Sequence, residues 1–572
     1  PNGVLIQASI GHEYYQNSTR DFQHFVNLTD GQTTNTCCPL DEAFLSYIER
    51  AAAAIAGEHP SLVMLDDDFR LMAARRGKAC ACPLHMKALN ALLGADYTRE
   101  AAWAQIERGG AEGARVRDAL IETQRVSLVN AAARIRRAID AIDPSIEGAY
   151  CACGDSAEFA AEIAAILARK GQRPIIRINN GNYCADSAHR LSRISFRAAL
   201  QANYLRASGA LVLAETDTCP HNRYSTSASM LHTHFVLSIL EGAQGAKQWI
   251  MRLNHYEPSS GAAYRKILSE NSGLYRALIE LIPHAKWMGC RIPLPACTLY
   301  SFGGEYSDGW FACALERLGL PLYFSAVPGG AAFLDDFDDR VFTDEQLKAL
   351  FDGGAVLSAR AAETLNRRGL QAFTGVDVVP WRGDAPEYEK TAGGAQMENQ
   401  AELSALIPCA ETARADTFVC NFSEHNRETA LFPGSVVFEN PRGTRTVVFA
   451  GTPNAPFRFG PVFSFLNETR KAQLVRLLDE MGCLPAYYPG DAEVYFRCAK
   501  LDSGEFLCVF INLGADPLDE IELVCQSAVA SVSVLGADGA FASRPFRREG
   551  KTLHIADKAV LLRPVLMKLS LE

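Results

Sequence analysis

Long apolar runs are missing from this sequence. No stretch of about 18 apolar residues occurs, and the first residues lack a basic segment followed by an apolar core and a cleavage site. We therefore expect neither a membrane-spanning chain nor a signal peptide. Positive charge is also scarce, because Lys and Arg total 56 against 66 for Asp and Glu, a net charge of -10. Such a chain repels a phosphate backbone, so nucleic acid is not expected as a partner.

Glycine-rich phosphate loops are absent as well. Neither a G-x-G-x-x-G nor a Walker pattern occurs at a strand-to-helix turn, so no organic cofactor is expected. The 17 cysteines are scattered, and many lie in apolar strand-like runs, a pattern that predicts reduced thiols and a cytoplasmic location. The 572 residues exceed what one hydrophobic core holds, so two or three domains are expected.

Short apolar runs alternate with long amphipathic stretches as far as about residue 290. This alternation is typical of a parallel sheet covered by helices, and it predicts a (β/α)8 TIM barrel. The predicted strands are Val4 to Ile10, Leu62 to Leu65, Ala149 to Cys153, Pro174 to Ile178, Ala210 to Ala214 and Lys247 to Leu253. The predicted helices include Asp41 to Ala56, Ala114 to Ile142, Ala157 to Lys170 and Ser227 to Gly242.

These strands number six, whereas a closed barrel of this kind has about eight, so two strands are expected upstream of residue 1. Beyond residue 290, Leu322 to Val327, Thr343 to Phe351 and Val356-Leu357 predict strand, helix and strand of a second α/β unit. Period-two runs past about residue 490 predict an antiparallel β-sandwich. We expect a barrel over 1–290, an α/β domain over 291–488 and a sandwich over 489–572.

Carboxylates follow two of the predicted strands. Glu215 comes directly after Leu211 to Ala214, and Asp66, Asp67 and Asp68 follow Leu62 to Leu65. Barrel enzymes keep their active sites at the carboxyl ends of the strands, and glycoside cleavage uses two carboxyl groups, one protonated and one ionised. The same three aspartates would also suit a divalent cation or a cap on the next helix. A metal-dependent hydrolase or lyase therefore stays open beside a glycosidase.

These motifs resemble those of the trimeric zinc-bearing β-galactosidases of glycoside hydrolase family 42. In that family the fourth strand ends in Asp-Asn-Glu-Tyr, where this chain has Asp66-Asp67-Asp68-Phe69. Glu215 corresponds to the nucleophile after the seventh strand. The segment Glu241 to Trp249 is similar to the family's helix end and eighth strand. The resemblance implies a retaining exo-acting β-glycosidase with Glu215 as nucleophile.

The acid/base position departs from the family, since Asp68 stands for its Glu and Asp67 for its Asn. We take Asp68 as the first choice for the acid/base and Asp67 as the second. The departure also leaves open an inactive carbohydrate-binding homologue, and the resemblance is to a divergent member or sister family. A middle domain like the family's trimerisation domain implies a homotrimer.

A metal site is predicted beside the second strand. Cys80-Ala-Cys82-Pro-Leu-His85 is similar to the family's Cys-x-Cys-x-x-Cys loop with the last Cys replaced by His. Cys37 or Cys38, of which we take Cys38, supplies a fourth ligand. Four nitrogen and sulfur ligands are typical of a closed structural zinc site, which catalysis would not require.

A sugar site also needs flat apolar surfaces and hydroxyl partners. Candidates lie at or just after the predicted strand ends. We expect a glycoside substrate to be bound by Trp249, Asn180, Tyr183, Asn254, His255, Tyr14 and Asp66.

Overall fold

A computed structural model describes the protein over residues 2–7, 9–11, 21–71, 79–153, 157–181, 188, 191–250, 261–295, 306, 309–337, 341–422, 427–453, 456–457, 460–461 and 464–572. The first part contains a curled sheet of six strands in chain order. Every neighbouring pair is parallel. The strands are β1 (Gly3–Ile6), β2 (Leu62–Leu65), β3 (Glu147–Cys151), β4 (Ile175–Arg177), β5 (Leu211–Asp217) and β6 (Ala246–Trp249).

The two faces of this sheet have different environments, because successive side chains of a strand point to opposite sides. Met64, Ala149 and Cys151 form a small apolar cluster on the concave face. Val63 and Ile176 belong instead to the larger core beneath the helices. The sheet is therefore buried on both faces, as the apolar runs of the sequence predicted.

Helices connect the strands and cover the convex face. Two of them have a side-chain cap at the residue where the predicted helix begins: the Asp41 side chain accepts a hydrogen bond from the Ala43 N–H, and that of Ser227 accepts one from the Met230 N–H. The 31-residue helix Gly110–Asp140 packs against its neighbours along the outside of the barrel. The helices of this part are Glu42–Ala56, Pro83–Leu93, Arg99–Arg108, Gly110–Asp140, Ala157–Leu167, Leu191–Leu205, Ala228–Leu240, Ala262–Glu270 and Ser272–Leu281.

A second parallel sheet follows, which confirms the predicted change to another α/β unit. Its strands in chain order are Cys290–Pro293, Leu318–Ser325, Ala331–Leu334, Ala355–Leu357 and Arg445–Phe449. The first strand lies between the second and third, the order of flavodoxin-like folds. Antiparallel strands Glu428–Glu439, Arg414–Phe422, Tyr388–Thr391 and Gln396–Met397 extend one edge. The helices here are Asp344–Leu350, Ala359–Arg367, Gln371–Thr374 and Glu468–Glu480.

The last part is an antiparallel sandwich. Val494–Leu501 pairs in parallel with Leu318–Ser325 and antiparallel with Phe506–Asn512, so one large sheet runs on into this part. Pro564–Leu571, Val529–Leu535 and Phe541–Ser543 continue it. A four-stranded sheet faces it across a shared apolar core. The strands of that sheet are Ala486–Tyr487, Ile521–Cys525, Thr552–Ile555 and Phe546–Glu549.

Two further findings concern membrane-spanning helices and disulfides. None of the helices in the described ranges is both long and apolar enough to cross a bilayer. Every cysteine of the described residues is a thiol rather than half of a disulfide.

Candidate active site

A buried arginine lies at the carboxyl end of the barrel strands. Arg177 is the last residue of β4 and is 1% exposed. Its Nη1 atom lies 2.8 Å from Oε2 of Glu215, and its Nη2 atom lies 2.9 Å from Oδ1 of Asp66. The same Nη1 atom lies 3.7 Å from Oδ2 of Asp67. One guanidinium therefore joins the carboxylate of β5 to the aspartates that follow β2.

Strand register brings these side chains to the concave face. Arg177 is the partner of Leu213 in the β4–β5 pair, and Glu215 lies two residues farther along β5 on the same face. Glu215 is itself the partner of Lys247 in β6. The sequence predicted that Glu215 comes just after this strand. In the structure β5 runs to Asp217, so Glu215 lies within the strand.

The three residues Asp66, Asp67 and Asp68, here called the aspartate turn, leave β2 in a tight turn. The Phe69 N–H donates to the Asp66 carbonyl at 3.1 Å, and the Asp67 N–H donates to Oδ1 of Asp66 at 3.0 Å. Asp66 and Asp68 are buried. The Asp67 side chain is 21% exposed and accepts a hydrogen bond from Nδ2 of Asn179 at 3.2 Å. Of the three, Asp67 thus combines contact with Arg177 and contact with solvent.

The environment of Glu215 determines its ionisation. Its side chain is buried, and burial raises the pKa of Glu215 to about 7. Arg177 is the strongest opposing influence; Asp217 and Asp67 raise the pKa further, and Lys247 lowers it. The backbone N–H of Gly181 donates to Oε2 of Glu215 at 3.3 Å. Glu215 is therefore close to the balance between its two protonation states at neutral pH.

The Asn180 side chain is hydrogen-bonded to the backbone of Glu215. Its Oδ1 atom accepts a hydrogen bond from the Glu215 backbone N–H at 2.9 Å, and its Nδ2 atom donates to Oγ of Ser238 at 2.8 Å. The second neighbour of Nδ2 is Nε2 of His234 at 3.3 Å. We predicted a substrate contact for Asn180, and the structure places it fully buried in this protein network.

Trp249 lies on the last strand, half-buried, opposite Asp217 in the β5–β6 pair. Its backbone N–H donates to Oδ1 of Asp217 at 3.0 Å, and its ring centroid lies 4.4 Å from that of His221. The ring is thus held at the same end of the sheet as Glu215. The remaining predicted sugar contacts fall outside the described residues: Tyr14, Tyr183, Asn254 and His255.

Several residues of this site were missed from the sequence. Arg177, Lys247 and Asp217 contact or influence Glu215, and Asn179 contacts the aspartate turn. One signal was present, since Arg177 is a charged residue within the apolar run Pro174 to Ile178. A charge in a strand buried on both faces requires a partner.

A second cluster matches the predicted metal ligands. Cys38, Cys80, Cys82 and His85 are all buried, and their ligand atoms lie within 4.8 Å of one another. Cys38 Sγ lies 3.3 Å from His85 Nδ1 and 3.5 Å from Cys82 Sγ, and Cys82 Sγ lies 3.6 Å from the same nitrogen. Ligands about 2.0 to 2.3 Å from a tetrahedral zinc are separated by similar distances.

Neighbouring elements hold this cluster in place. His85 Nε2 lies 3.2 Å from Oγ of Ser127, a hydrogen bond of the kind that orients metal-binding imidazoles. Gln124 exchanges hydrogen bonds of 3.1 Å with the backbone N–H and carbonyl of Cys80. Ser127 and Gln124 both lie on helix Gly110–Asp140. The thiol and imidazole donors thus fit a structural zinc ion.

Comparison with known proteins identifies solved structures of the same fold. No protein-family model matches the sequence, and no curated protein matches it. Among solved structures, α-L-fucosidase isoenzyme 2 from Paenibacillus thiaminolyticus and a β-galactosidase from Bacillus circulans sp. alkalophilus each align over 98% of this chain, with 12% identity and a TM-score of 0.57. The alignments cover 85% and 88% of those chains, respectively.

A β-galactosidase from Rahnella sp. R3 aligns over 94% of this chain and 83% of its own, with 11% identity and a TM-score of 0.54. These structures share one architecture with the protein described here. The chain therefore has the fold of a TIM-barrel glycoside hydrolase followed by an α/β domain and a β-domain.

Proposed function

We propose that the protein is a retaining, exo-acting glycoside hydrolase that cleaves a terminal β-linked sugar. The observation that carries this proposal is the contact of Arg177 with both Glu215 and Asp67 at the carboxyl end of the barrel strands. The Glu215 and Asp67 oxygens cannot be farther apart than the sum of their two distances to Nη1. That upper limit admits the roughly 5 to 5.5 Å at which retaining enzymes hold their carboxyl pair, and it excludes all but the shortest spacings of the roughly 6.5 to 9.5 Å found in inverting enzymes.

In the proposed reaction, ionised Glu215 attacks the anomeric carbon and forms a glycosyl-enzyme. The acid/base residue donates a proton to the leaving oxygen and then takes one from the water that hydrolyses the intermediate. Arg177 and Lys247 favour the ionised form of Glu215, whereas burial opposes it. Activity should accordingly fall on the acid side of about pH 7. The reaction needs no organic cofactor.

Asp67 is better supported as the acid/base than Asp68, the first choice from sequence. Asp67 contacts the same guanidinium nitrogen as Glu215 and is partly open to solvent, where a leaving group would lie. Asp68 is 2% exposed. An acid that exchanges protons with substrate and water must reach both. The two residues are therefore tested side by side.

A metal-dependent reaction at the aspartate turn is the second candidate. The Arg177 guanidinium lies 2.9 Å from Asp66, in a position that a divalent cation would have to take. Within the described part of the chain, the aspartates do not converge as a set of metal ligands. These contacts favour the glycosidase. An inactive sugar-binding homologue is distinguished from it by the experiment below.

We propose further that Cys38, Cys80, Cys82 and His85 hold a structural zinc ion. A closed four-ligand shell leaves no open position for substrate, so the ion would stabilise the loops between the barrel strands and their helices. The cytoplasmic location is consistent with reduced thiols in the described residues. The homotrimer stays a prediction from the family resemblance.

The proposal is tested with a panel of activated aryl glycosides. The Glu215→Gly variant should lose at least about a thousandfold in kcat on the accepted substrate, the range seen when a catalytic group is removed. Azide should restore turnover and give a glycosyl azide of inverted configuration, because it takes the place of the nucleophile. Glu147→Gln, at the opposite end of the barrel, is the control and should keep activity.

The acid/base is identified in the same panel. Asp67→Asn should retain most of the kcat/KM on substrates with good leaving groups and lose it on poor ones, because only poor leaving groups need the acid. Its glycosyl-enzyme should hydrolyse slowly, and azide should raise turnover and give a product of retained configuration. Asp68→Asn should not show this pattern. If no substrate is turned over, or if Glu215→Gly keeps full activity, the proposed function is wrong.

A further inference from the structure

The last two strands of the barrel sheet place four side chains side by side at their carboxyl ends. Glu215 of β5 is the partner of Lys247 in β6, and Asp217 is the partner of Trp249. Because residues two apart in a strand point to the same face, all four side chains lie on the concave face, where Glu215 meets Arg177. Lys247 thus lies directly beside the proposed nucleophile, and Trp249 lies one step nearer the mouth of the barrel.

Electrostatic interactions place the amine of Lys247 on this face. Burial raises the pKa of both Glu215 and Cys151, and the positive charge of Lys247 opposes both shifts. Cys151 belongs to the apolar cluster of the concave face. The Nζ atom of Lys247 lies 6.0 Å from the centroid of the Trp249 ring, at the outer limit of a cation–π contact. The ammonium is therefore near both the nucleophile and the aromatic ring.

The charge of Lys247 has no counter-ion in the described part of the chain, where its amine forms neither an ion pair nor a hydrogen bond. The side chain is half-buried. Taking an ammonium out of water costs free energy, which an anion can offset. The guanidinium of Arg177 is by contrast surrounded by carboxylates, namely those of Glu215, Asp66 and Asp67. Of these two cations, Lys247 is the one that is available to a substrate.

The carboxylates of the site have interactions of their own. Asp217 is buried, and its Oδ1 atom accepts the Trp249 backbone N–H at 3.0 Å. Asp67 is contacted by Arg177, and the acid/base role proposed for it requires its protonated form. An anionic substituent of the substrate would therefore find its cation in Lys247.

The spacing of the two strands suits a hexuronic acid. Neighbouring strands lie roughly 4.8 Å apart, which is about the width of a pyranose ring. In a hexuronic acid the carboxylate is attached to C5, across the ring oxygen from the anomeric carbon C1. A sugar whose C1 lies at Glu215 can therefore direct this carboxylate towards Lys247 on the next strand.

We propose that the terminal sugar of the substrate is a hexuronic acid and that Lys247 binds its carboxylate. This inference rests on the proposed glycoside hydrolase function and makes Lys247 a specificity-determining residue. The ammonium and the carboxylate form a charge-assisted hydrogen bond in a half-buried position, where screening by salt is incomplete. A neutral sugar, with a hydroxymethyl group in place of the carboxylate, would leave the Lys247 charge without a counter-ion.

Matched aryl glycosides test this inference. The two members of each pair have the same leaving group and the same β linkage and differ only at C6: glucuronide against glucoside, and galacturonide against galactoside. In at least one pair, the wild type should have a kcat/KM about 10- to 100-fold higher on the uronide, the range of a hydrogen bond to a charged group. The ratio within a pair does not depend on the fraction of folded enzyme. The effect of Lys247 on the pKa of Glu215 also cancels, because both substrates use the same nucleophile.

Three variants complete this experiment. Lys247→Met should abolish the uronide preference, whereas Lys247→Arg keeps a cation and should keep part of it. Lys266→Met is the control and should keep the whole preference, since the Lys266 side chain is 73% exposed and pairs with Glu270.

The inference and the glycoside hydrolase proposal fail in different ways. If the wild type hydrolyses neutral glycosides as well as the matched uronides, or if Lys247→Met keeps the uronide preference, the inference is wrong and the hydrolase proposal stands. If no glycoside is hydrolysed, the hydrolase proposal fails, and calorimetric titration with glucuronate and galacturonate tests the Lys247 site by itself. Binding of a uronate by the wild type but not by Lys247→Met would support the site. Equal binding by both proteins, or binding by neither, would overturn it.

Discussion

Replacing Arg177 by methionine removes the guanidinium that contacts Glu215, Asp66 and Asp67. At 2.8 Å and an effective dielectric constant of about 20, one such pair has a Coulomb energy of about 6 kcal/mol before desolvation is counted. Removing one partner of a buried ion pair typically costs about 3 to 5 kcal/mol, because the other charge is left uncompensated. We expect Arg177→Met to lose stability in that range at pH 9.

The loss should depend on pH in a specific direction. The pKa of Glu215 is about 7 with Arg177 present, and it must rise when this cation is removed. Below about pH 7 Glu215 is protonated in both proteins, so this group contributes nothing to the difference. Above pH 7 its contribution should grow by up to about 1.4 kcal/mol per pH unit until the raised pKa is reached. The loss of the aspartate contacts adds a part that is present at both pH values.

Urea unfolding at pH 6, 7.5 and 9, followed by tryptophan fluorescence, measures this dependence. Arg173→Met is the matched control, since Arg173 lies just before the same strand and its hydrogen bonds go to uncharged acceptors at Gly209, Ala210 and Gln244. Its stability loss should not change with pH. A loss for Arg177→Met that is the same at pH 6 and pH 9 would refute the electrostatic account of Glu215.

Two further predictions concern Glu215 and the cysteine cluster. Between pH 4 and pH 8, the free energy of unfolding of Glu215→Gln should rise by about 3 kcal/mol relative to that of the wild type. The reason is that only the wild type has a buried carboxyl whose pKa is raised from 4.5 to about 7. A difference that stays constant with pH in denaturant titrations would contradict this. Elemental analysis of the wild type should find about one equivalent of zinc. His85→Ala should lose this zinc, whereas Cys498→Ser, outside the cluster, should keep it. Equal zinc content in both variants would exclude the proposed site.

Much of the barrel could be predicted from sequence because most of its strands contain a short apolar run. The predicted strand Leu62 to Leu65 has the observed bounds, and the predicted helix Ala157 to Lys170 ends three residues beyond the observed one. Strand β5 was predicted to end at Ala214, yet it continues through Glu215 to Asp217. Polar residues do not look like strand residues locally, and it is pairing with β6 that keeps them extended.

The candidate site was predictable in part. Glu215 and the aspartates were predicted as catalytic residues because they are acids at strand ends, and the cysteine spacing indicated a metal site. Asn180 was predicted as a substrate contact, and its position after a strand could not show that its amide is hydrogen-bonded to Ser238 and to the Glu215 backbone. Arg177 was missed because a single charge in an apolar run does not identify its partners.

By itself, the sequence determined the alternation of strands and helices, the position of acids near strand ends and the grouping of thiol and imidazole donors, since these follow from local periodicity and spacing. Only the tertiary structure decided that Arg177 joins Glu215 to the aspartate turn, which lies more than a hundred residues earlier in the chain. Coulomb interactions and desolvation depend on distance and burial in space. The ionisation of Glu215, on which the proposed chemistry rests, is therefore set by residues that are remote in sequence.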